Sequence, residues 1–321
     1  MQRLAVFSGK GGTGKTTLVA AFARLTERVV AADCDVDAAN LALLLPGVDE
    51  PSRPFMSGQK AQVQDELCLS CGKCIPHCRF GALGWVSSVE VAVDPLACEG
   101  CEVCVQVCPG ESILMLPNQA GTWTRRALAA SHAPDAGWLV HAELGVAQDN
   151  SGKLVTEVRS QADALARTHG IETVLIDGPP GIGCAVHAAM GQVSRILVVT
   201  EPTPSGEHDL LRLLETARQF HVPACVAINK HDLSPGGAAA IEAACAARGI
   251  EVIGRVPFDA AVPAALARGE VPLGAAVAPE TDAAIRALWE RFSTGGCGDA
   301  ARHVVVPRLH GGASQNTTPT P

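Results

Sequence analysis

Residues 9–16 read GKGGTGKT and match the pattern G-x-x-x-x-G-K-[ST], which binds nucleotide phosphates in many proteins. In this pattern the glycines let successive backbone N–H groups point at the phosphates, and a helix N-terminus adds a favourable dipole. Lys15 is expected to reach the β- and γ-phosphates, and the Thr16 hydroxyl to ligate a magnesium ion. A flexible glycine turn is the alternative. The motif predicts a phosphate site formed by Gly9, Gly11, Gly12, Thr13, Gly14, Lys15, Thr16 and Thr17.

Eight of the thirteen cysteines form two runs with the same spacing, C-x2-C-x2-C-x3-C, and the second run begins thirty residues after the first. Bacterial ferredoxins with two 4Fe-4S clusters have this spacing, and in them the fourth cysteine of each run ligates the other cluster. One cluster would be held by Cys68, Cys71, Cys74 and Cys108. The other would be held by Cys98, Cys101, Cys104 and Cys78. Structural zinc is the alternative, but zinc sites usually pair two separate C-x2-C knuckles.

The cysteine runs lie in a segment of distinct composition, residues 56–117, which we call the insert. From Ala61 to Pro117 it holds seven acidic and two basic residues. We therefore expect a small α+β domain similar to bacterial ferredoxin, with an acidic surface that suits a basic partner. Arg79 stands where the first run would often carry proline, so a positive charge is expected near one cluster.

Length and composition limit the classes of protein that this chain can be. Its 321 residues suffice for about two domains, and no apolar run approaches the ~20 residues needed to cross a bilayer, so no membrane anchor is expected. A net charge of -8 gives no attraction to nucleic acid. The N-terminal residues lack a signal-peptide pattern, which predicts a cytoplasmic protein with reduced cysteines. Four cysteines are interpreted as packing or incidental residues: Cys34, Cys225, Cys245 and Cys297.

Apolar runs of strand length alternate with helical patterns outside the insert. The runs are Arg3 to Phe7, Val29 to Ala32, Thr173 to Ile176, Arg195 to Val199, Ala224 to Ile228 and Glu251 to Ile253. Because they are apolar throughout, they predict an α/β fold whose mostly parallel sheet has helices on both faces. The expected domains are a nucleotide-binding domain made of residues 1–55 and 118–292, the insert, and a disordered tail at 293–321.

The string KGGTGKTT resembles the deviant phosphate loop of the MinD/ParA/nitrogenase-iron-protein superfamily of P-loop ATPases. The resemblance implies that Lys10 crosses a homodimer interface to the ATP of the other subunit, although a solvated lysine is the plain alternative. The sequence DCDVD at 33–37 resembles the first switch of that superfamily, in which Asp35 would orient the attacking water and Asn40 would complete the loop. Asp33 has a capping or turn role as its alternative.

Later stretches fit the same superfamily. The resemblance implies that Asp177 holds magnesium through water and that Gly181 senses the γ-phosphate. It also implies that Asn229 reads adenine and that Pro257 closes the adenine pocket. With its insert, the chain up to about Phe292 resembles the MinD-superfamily ATPases that contain an inserted ferredoxin domain, whose motifs include NSGKLVTEVR, GIGCAV and TEPTPSGEHDL. The implied cofactors are ATP, Mg²⁺ and two 4Fe-4S clusters.

Three functions remain open from the sequence. The first is an ATP-hydrolysing protein in which dimer closure is coupled to electron transfer to a redox partner. The second is an assembly or carrier ATPase for clusters or metallocofactors, which the placement of Cys184 after Asp177 favours. The third is a positioning ATPase, which is disfavoured because residues 296–321 lack a basic amphipathic helix. Lys153 is interpreted as a surface or dimer-contact lysine.

Overall fold

The computed structural model describes residues 1–129, 137–148, 151–295 and 297, and its twelve strands and nine α-helices are counted within these residues. The strands are β1 (Gln2–Phe7), β2 (Val29–Asp33), β3 (Gly47–Asp49), β4 (Arg53–Val63), β5 (Leu83–Trp85), β6 (Val91–Val93), β7 (Ile113–Leu128), β8 (Gly137–Leu144), β9 (Thr173–Asp177), β10 (Arg195–Thr200), β11 (Ala224–Asn229) and β12 (Glu251–Val256). The helices are α1 (Lys15–Leu25), α2 (Leu41–Leu44), α3 (Val103–Val107), α4 (Ser151–His169), α5 (Cys184–Met190), α6 (Pro204–Gln219), α7 (Pro235–Ala246), α8 (Ala261–Ala267) and α9 (Pro279–Thr294).

Ten strands form one sheet in the order β12-β11-β10-β1-β9-β2-β8-β7-β3, with β4 also paired to β7. The seven strands from β12 to β8 are parallel, and β7 is antiparallel to β8, β3 and β4. Alternate residues of β1 enter two separate cores: Ala5 and Phe7 face α4 to α7, while Leu4 and Val6 face α1 and α9. Both faces are therefore covered, which confirms the predicted α/β fold.

The insert is attached through continuous strands. The part of β7 from Ile113 to Trp123 pairs with β4, and we call this two-stranded segment the ribbon. From Gly121 to Ala127, β7 also pairs with β8 of the central sheet. The predicted domain boundaries at 55/56 and 117/118 consequently fall inside β4 and β7. A hydrogen-bonded ladder thus runs from the central sheet into the insert.

The thirty-residue sequence repeat is also a repeat of backbone conformation. Left-handed φ angles occur at three pairs of positions that are thirty residues apart: Ser70 and Gly100, Gly72 and Glu102, and Gly81 and Glu111. Left-handed backbone is uncommon outside glycine, so three non-glycine examples in these pairs mark turns that the surrounding structure enforces. The same turns occur on both cysteine runs.

Two expectations about the end of the described chain were wrong. Ser293 and Thr294 belong to α9 rather than to a disordered tail, and positions 296 and 298–321 lie outside the described residues. Cys225 and Cys297, interpreted from the sequence as packing residues, form a disulfide with their Cα atoms 5.2 Å apart. The chain after α9 returns to β11, which the sequence pattern does not reveal. Within the described residues, no helix is long and apolar enough to cross a membrane.

Candidate nucleotide site and cysteine cavities

The phosphate loop joins β1 to α1, as the motif requires. Gly12 and Gly14 have φ angles of 81° and 90°, and Gly14 immediately precedes the first residue of α1. A Cβ on Gly14 would overlap the Asn229 side chain, and one on Gly9 would overlap Cβ of Asp209. Glycine at these two positions is therefore required for the close approach of β11 and α6 to the loop.

Lys15 is a buried cation surrounded by carboxylates. Its Nζ lies 2.5 Å from Oδ1 of Asp177 and 3.8 Å from Oδ2 of Asp35. Burial alone would lower the pKa of Lys15, but the attraction and hydrogen bond of Asp177 outweigh it and leave the pKa raised. The ammonium also lies 3.3 Å from the Thr16 hydroxyl. Three of the predicted residues, Lys15, Asp35 and Asp177, thus meet at one point.

Asp33 is fully buried at the end of β2, opposite Asp177 at the end of β9. Its carboxylate accepts N–H bonds from Asp35 at 3.2 Å and from Leu41, the first residue of α2, at 3.0 Å. Burial and the charge of Asp177 raise the pKa of Asp33 to about 7. This geometry matches the turn role that was given as the alternative for Asp33. The Asp33 side chain holds both ends of the segment from Asp35 to Leu41, which includes Asn40.

Two buried polar atoms at this site have no partner among the described residues: Oδ2 of Asp177 and the hydroxyl of Thr13. Burial also raises the pKa of Asp35, whose side chain is only 16% exposed. A magnesium ion with its water shell takes oxygen ligands, and nucleotide phosphates accept donors. The donor set of Thr16, Asp177, Lys15 and the loop therefore fits MgATP.

Lys10 pairs with residues that follow β10. Its Nζ lies 3.8 Å from a Glu201 carboxylate oxygen and 3.3 Å from the Ser205 hydroxyl, where β10 passes into α6. Glu201 also pairs with Lys230 at 2.6 Å. Glu201 and Lys230 were not predicted from the sequence. Both follow parallel strands at the edge where ligands bind, which is the signal that would have found them.

The predicted adenine residues lie at adjacent strand ends. Asn229 ends β11 opposite Val256, and half-buried Pro257 follows Val256 directly. The Asn229 amide donates to the Thr13 carbonyl at 2.8 Å and accepts from the Lys230 N–H at 3.0 Å. In this arrangement the amide braces the phosphate loop.

The remaining predicted residues lie on the segment after β9 and at the starts of α4 and α5. Gly181, with φ 86°, donates its N–H to the Ser8 carbonyl at 3.2 Å. Cys184 is exposed at the start of α5, and a Cβ on Gly152 would lie 3.6 Å from its Cβ. Lys153, which follows Gly152 at the start of α4, is exposed. Cys184 and Lys153 thus begin two helices that pack together.

The insert brings the eight cysteines of the two runs into two groups of four, each around its own cavity. The proximal cavity is lined by Cys78, Cys98, Cys101 and Cys104. The distal cavity is lined by Cys68, Cys71, Cys74 and Cys108. The proximal cavity touches Ala61 and Met115 of the ribbon, whereas the distal cavity touches Val63 and Ile113. Two residues of strand, about 6.5 Å, therefore separate them along the ribbon.

Backbone donors point at several of these sulfurs. Ala82 N–H lies 3.3 Å from Sγ of Cys78, and Ser112 N–H lies 3.4 Å from Sγ of Cys108. Burial disfavours the Cys108 thiolate, yet the bonds from Ser112 and nearby N–H groups leave the pKa of Cys108 lowered. Burial raises the pKa of Cys74 and of Cys104. No group of three or more His, Cys, Asp or Glu side chains in the described part of the chain is placed to hold a single metal ion.

The parallel sheet with its phosphate loop at the end of β1 defines a P-loop nucleotide-binding protein. The family model of the CobQ/CobB/MinD/ParA nucleotide binding domain matches residues 4–273, so the chain belongs to this family, within the MinD/ParA superfamily of P-loop ATPases. Two uncharacterized proteins of Methanocaldococcus jannaschii are 29% and 26% identical to it over 237 and 239 residues. Each match spans 73% of this chain, and they span 80% and 82% of those proteins.

Solved structures of MinD share the fold. They include the cell division ATPase MinD of Pyrococcus furiosus, the MinD cell division protein of Aquifex aeolicus, and the septum site-determining protein MinD of Pyrococcus horikoshii complexed with Mg-ADP. Their TM-scores are 0.52, 0.53 and 0.53 at 18%, 18% and 17% identity. The alignments cover 91%, 92% and 93% of this chain and 98%, 97% and 99% of those chains.

The raised pKa of Asp33 predicts a pH-dependent stability. The folded protein holds the Asp33 proton up to about pH 7, whereas the unfolded chain releases it near pH 3.8. The contribution of Asp33 to the free energy of unfolding therefore decreases as the pH rises from 3.8 to about 7. The variant Asp33→Asn lacks this titration. We expect the free energy of unfolding of the variant, relative to the nucleotide-free wild type, to rise from pH 4 to pH 7 and to stay constant above. Urea unfolding at several pH values measures it, and a pH-independent difference would contradict the assigned pKa.

Proposed function

We propose that this protein binds and hydrolyses ATP and carries two 4Fe-4S clusters, and that its ATP-gated homodimer couples nucleotide state to electron transfer. The observation that carries the proposal is the grouping of the eight cysteines. Each cavity is bordered by three cysteines of one run and the fourth of the other, which is the crossed arrangement of two-cluster ferredoxins. A phosphate loop lies in the same chain, and continuous strands join the two regions.

The cavities fit 4Fe-4S clusters on the chemistry of their linings. Four thiols surround each cavity instead of converging on a point, as a single zinc ion would require. Apolar side chains such as Leu83 and Val93 complete the proximal cavity, and Ile113 and Val91 complete the distal one. Such clusters supply one-electron storage, and N–H···S bonds stabilise the added charge of the reduced form. The guanidinium of Arg79 lies 5.1 Å from the ring of Phe80, which lines the proximal cavity, so a positive charge is near that site.

The roles at the nucleotide site follow from charge and position. Lys15 neutralises phosphate charge, and Thr16 and Asp177 hold magnesium, Asp177 acting through water. Asp35 lies at the mouth of the site beside Lys15, where its carboxylate can orient a water for attack. Asp33 acts on the reaction only through the segment that it holds. This makes Asp33 a positioning residue.

The same geometry suggests how the nucleotide state reaches the insert. Val36, in the segment held by Asp33, accepts the N–H of Leu144 at 3.1 Å. The next residue, Gly145, donates to the Ala120 carbonyl of β7 at 2.9 Å, and Asn118 of β7 bonds Gln148 at 2.6 Å. These hydrogen bonds would therefore transmit a movement of the first switch to the base of the ribbon, which leads to the proximal cavity.

The homodimer is proposed on Lys10. Its ammonium contacts Glu201 and Ser205, while Lys15 already supplies the buried cation of the phosphate loop. In a face-to-face dimer Lys10 could instead reach the other subunit's nucleotide. It would then have to leave Glu201, so Glu201 opposes closure until a γ-phosphate offers a stronger partner.

A second candidate function, cluster assembly or delivery, is favoured by the exposed thiol of Cys184 next to the second switch. A delivered cluster needs ligands that exchange readily. Each cavity has four cysteine ligands, several with sulfurs bonded to backbone N–H groups, which favours retention and electron transfer.

The nucleotide roles predict separable losses. Lys15→Ala should abolish ATP binding because the phosphates lose their buried cation. Asp35→Ala should bind ATP within about threefold of wild type yet lose about 100-fold or more in hydrolysis rate. Asp37→Ala is the matched control, since Asp37 is an exposed carboxylate on the same loop. Binding by calorimetry and phosphate release measure the two effects. Loss of ATP binding in Asp35→Ala would contradict the roles.

The cluster assignment predicts about eight irons and eight acid-labile sulfides per chain after anaerobic preparation, with no zinc at these cysteines. Cys78→Ala should damage the cluster held by Cys98, Cys101 and Cys104, seen by electron paramagnetic resonance, and leave the other intact. Cys245→Ala is the control, because Cys245 is buried in the ATPase core. Damage confined to the cluster of Cys68, Cys71 and Cys74 would refute the crossed ligation. Iron transfer to an added apoferredoxin would favour the carrier function instead.

Dimer closure is predicted to depend on Lys10 and to be opposed by Glu201. In the Asp35→Ala background, which blocks turnover, ATP should produce a dimer, and adding Lys10→Ala should leave it monomeric. Adding Glu201→Gln should instead lower the dissociation constant by about three- to tenfold, as expected for two partly exposed ion pairs. Sedimentation equilibrium with ATP measures all three proteins. Equal masses for the first two would refute the role of Lys10.

A further inference from the structure

Exposed apolar side chains are concentrated in the insert. Of the eighteen large hydrophobic residues that are exposed in the described part of the chain, eleven lie between Met56 and Leu116. Single exposed hydrophobic residues are ordinary, but a local concentration marks a surface that another molecule covers. The neighbours of each residue therefore decide whether these side chains form a patch.

Four of the eleven gather around Cys71 at the edge of the distal cavity, and we call them the distal patch: Leu69, Trp85, Val86 and Val89, which are 65%, 48%, 61% and 66% exposed. The Trp85 ring packs against Gly72, where a Cβ would come within 2.6 Å of it. The Ser70 hydroxyl donates to the Val89 carbonyl, which holds the turn between β5 and β6 beside the exposed Cys71.

The patch is preorganised. The Ser87 hydroxyl accepts N–H bonds from Val89 at 3.4 Å and Glu90 at 3.1 Å, and the Val86 N–H donates to the Glu90 carbonyl at 3.0 Å. Leu69 is braced on Gly110, where a Cβ would lie 3.1 Å from its Cγ. A partner would therefore meet a surface that needs little ordering on binding, which lowers the entropic cost of the complex.

The ribbon covers one side of the proximal cavity. Gly100 packs so closely on the Gln59 carbonyl that a Cβ there would overlap it, and Lys60 donates to the Cys98 carbonyl. Each cavity has one exposed cysteine, Cys101 at the proximal cavity and Cys71 at the distal cavity. The distal patch lies beside Cys71, so an external protein with an apolar surface can approach the distal cavity there.

The charges beside the patch specify the partner. Three exposed acidic residues lie within four residues of the patch in the sequence: Asp65, Glu66 and Glu90. A fourth, Glu111, follows Gly110, on which Leu69 rests, and Lys73 is an exposed cation between Leu69 and Trp85 in the sequence. An apolar centre with an acidic rim is complementary to an apolar surface rimmed by lysine or arginine. Burial of the apolar centre gives affinity, and the charges speed association.

We propose that a basic one-electron redox protein binds to the distal patch and that the apolar contact surface of this partner lies over Cys71. This inference rests on the proposed function, because it assigns one cluster as the exit. A cluster held by Cys68, Cys71, Cys74 and Cys108 would lose one electron and the oxidised partner would gain it, with no bond formed or broken and no proton moved.

The test uses the cluster-loaded full chain and cytochrome c, a basic one-electron acceptor, as the probe. Val89→Lys places a positive charge in the patch, and Val48→Lys, at a 76% exposed valine on β3, is the matched control. Calorimetry with both proteins oxidised measures binding without electron transfer. Stopped-flow mixing of the reduced chain with oxidised cytochrome c measures the second-order rate constant.

At low salt we expect Val89→Lys to weaken binding and slow reduction by about tenfold, Val89→Glu to increase both, and Val48→Lys to change them less than about twofold. The differences should shrink at high salt. Equal values for Val89→Lys and Val48→Lys, with clusters intact in both, would overturn the docking surface. Absence of clusters from the wild type would instead overturn the proposed function. ATP-independent self-association lost in Val89→Lys would identify a second copy of the chain as the occupant and overturn the proposal.

Discussion

The structure depends on one electrostatic constraint, the burial of a single lysine among carboxylates at the carboxyl ends of β2 and β9. Lys15 pairs directly with Asp177, while Asp33 is fully buried and relies on backbone N–H groups. Buried charges cost several kcal/mol unless they are compensated, so the parallel register that places Asp33 opposite Asp177 is held against repulsion. That repulsion makes the site responsive to an added cation, which would favour the ionised form of Asp33 and so lower its pKa.

The segment from Asp35 to Leu41 and the insert share this constraint because β2, β8 and β7 are neighbours. The Asp33 carboxylate holds both ends of this segment. The segment contacts the end of β8, and the loop after β8 contacts β7. In many two-domain proteins the connection is a linker that permits independent motion. Here the connection is strand pairing, which resists shear. The orientation of the insert should follow the central sheet.

Much of this arrangement could be predicted from the sequence, and the limits have physical causes. The phosphate loop, its strand and the parallel sheet follow from local patterns, because glycine geometry and apolar runs are local properties. The grouping of Cys78 with Cys98 around one cavity agrees with the spacing of the two cysteine runs. Glu201 beside Lys10 was missed because the contact spans 191 residues and depends on strand order. The Cys225–Cys297 disulfide was missed for the same reason, as residues 72 apart meet only through the path after α9.

The paired left-handed turns of the insert have a consequence for its history. In each pair one member is glycine and the other is not, with Ser70, Glu102 and Glu111 as the partners of Gly100, Gly72 and Gly81. A non-glycine residue in this conformation costs about 1 kcal/mol, so the neighbouring contacts must enforce the turn. The two halves read as copies of one ancestral peptide that diverged in side chains while a common backbone was retained.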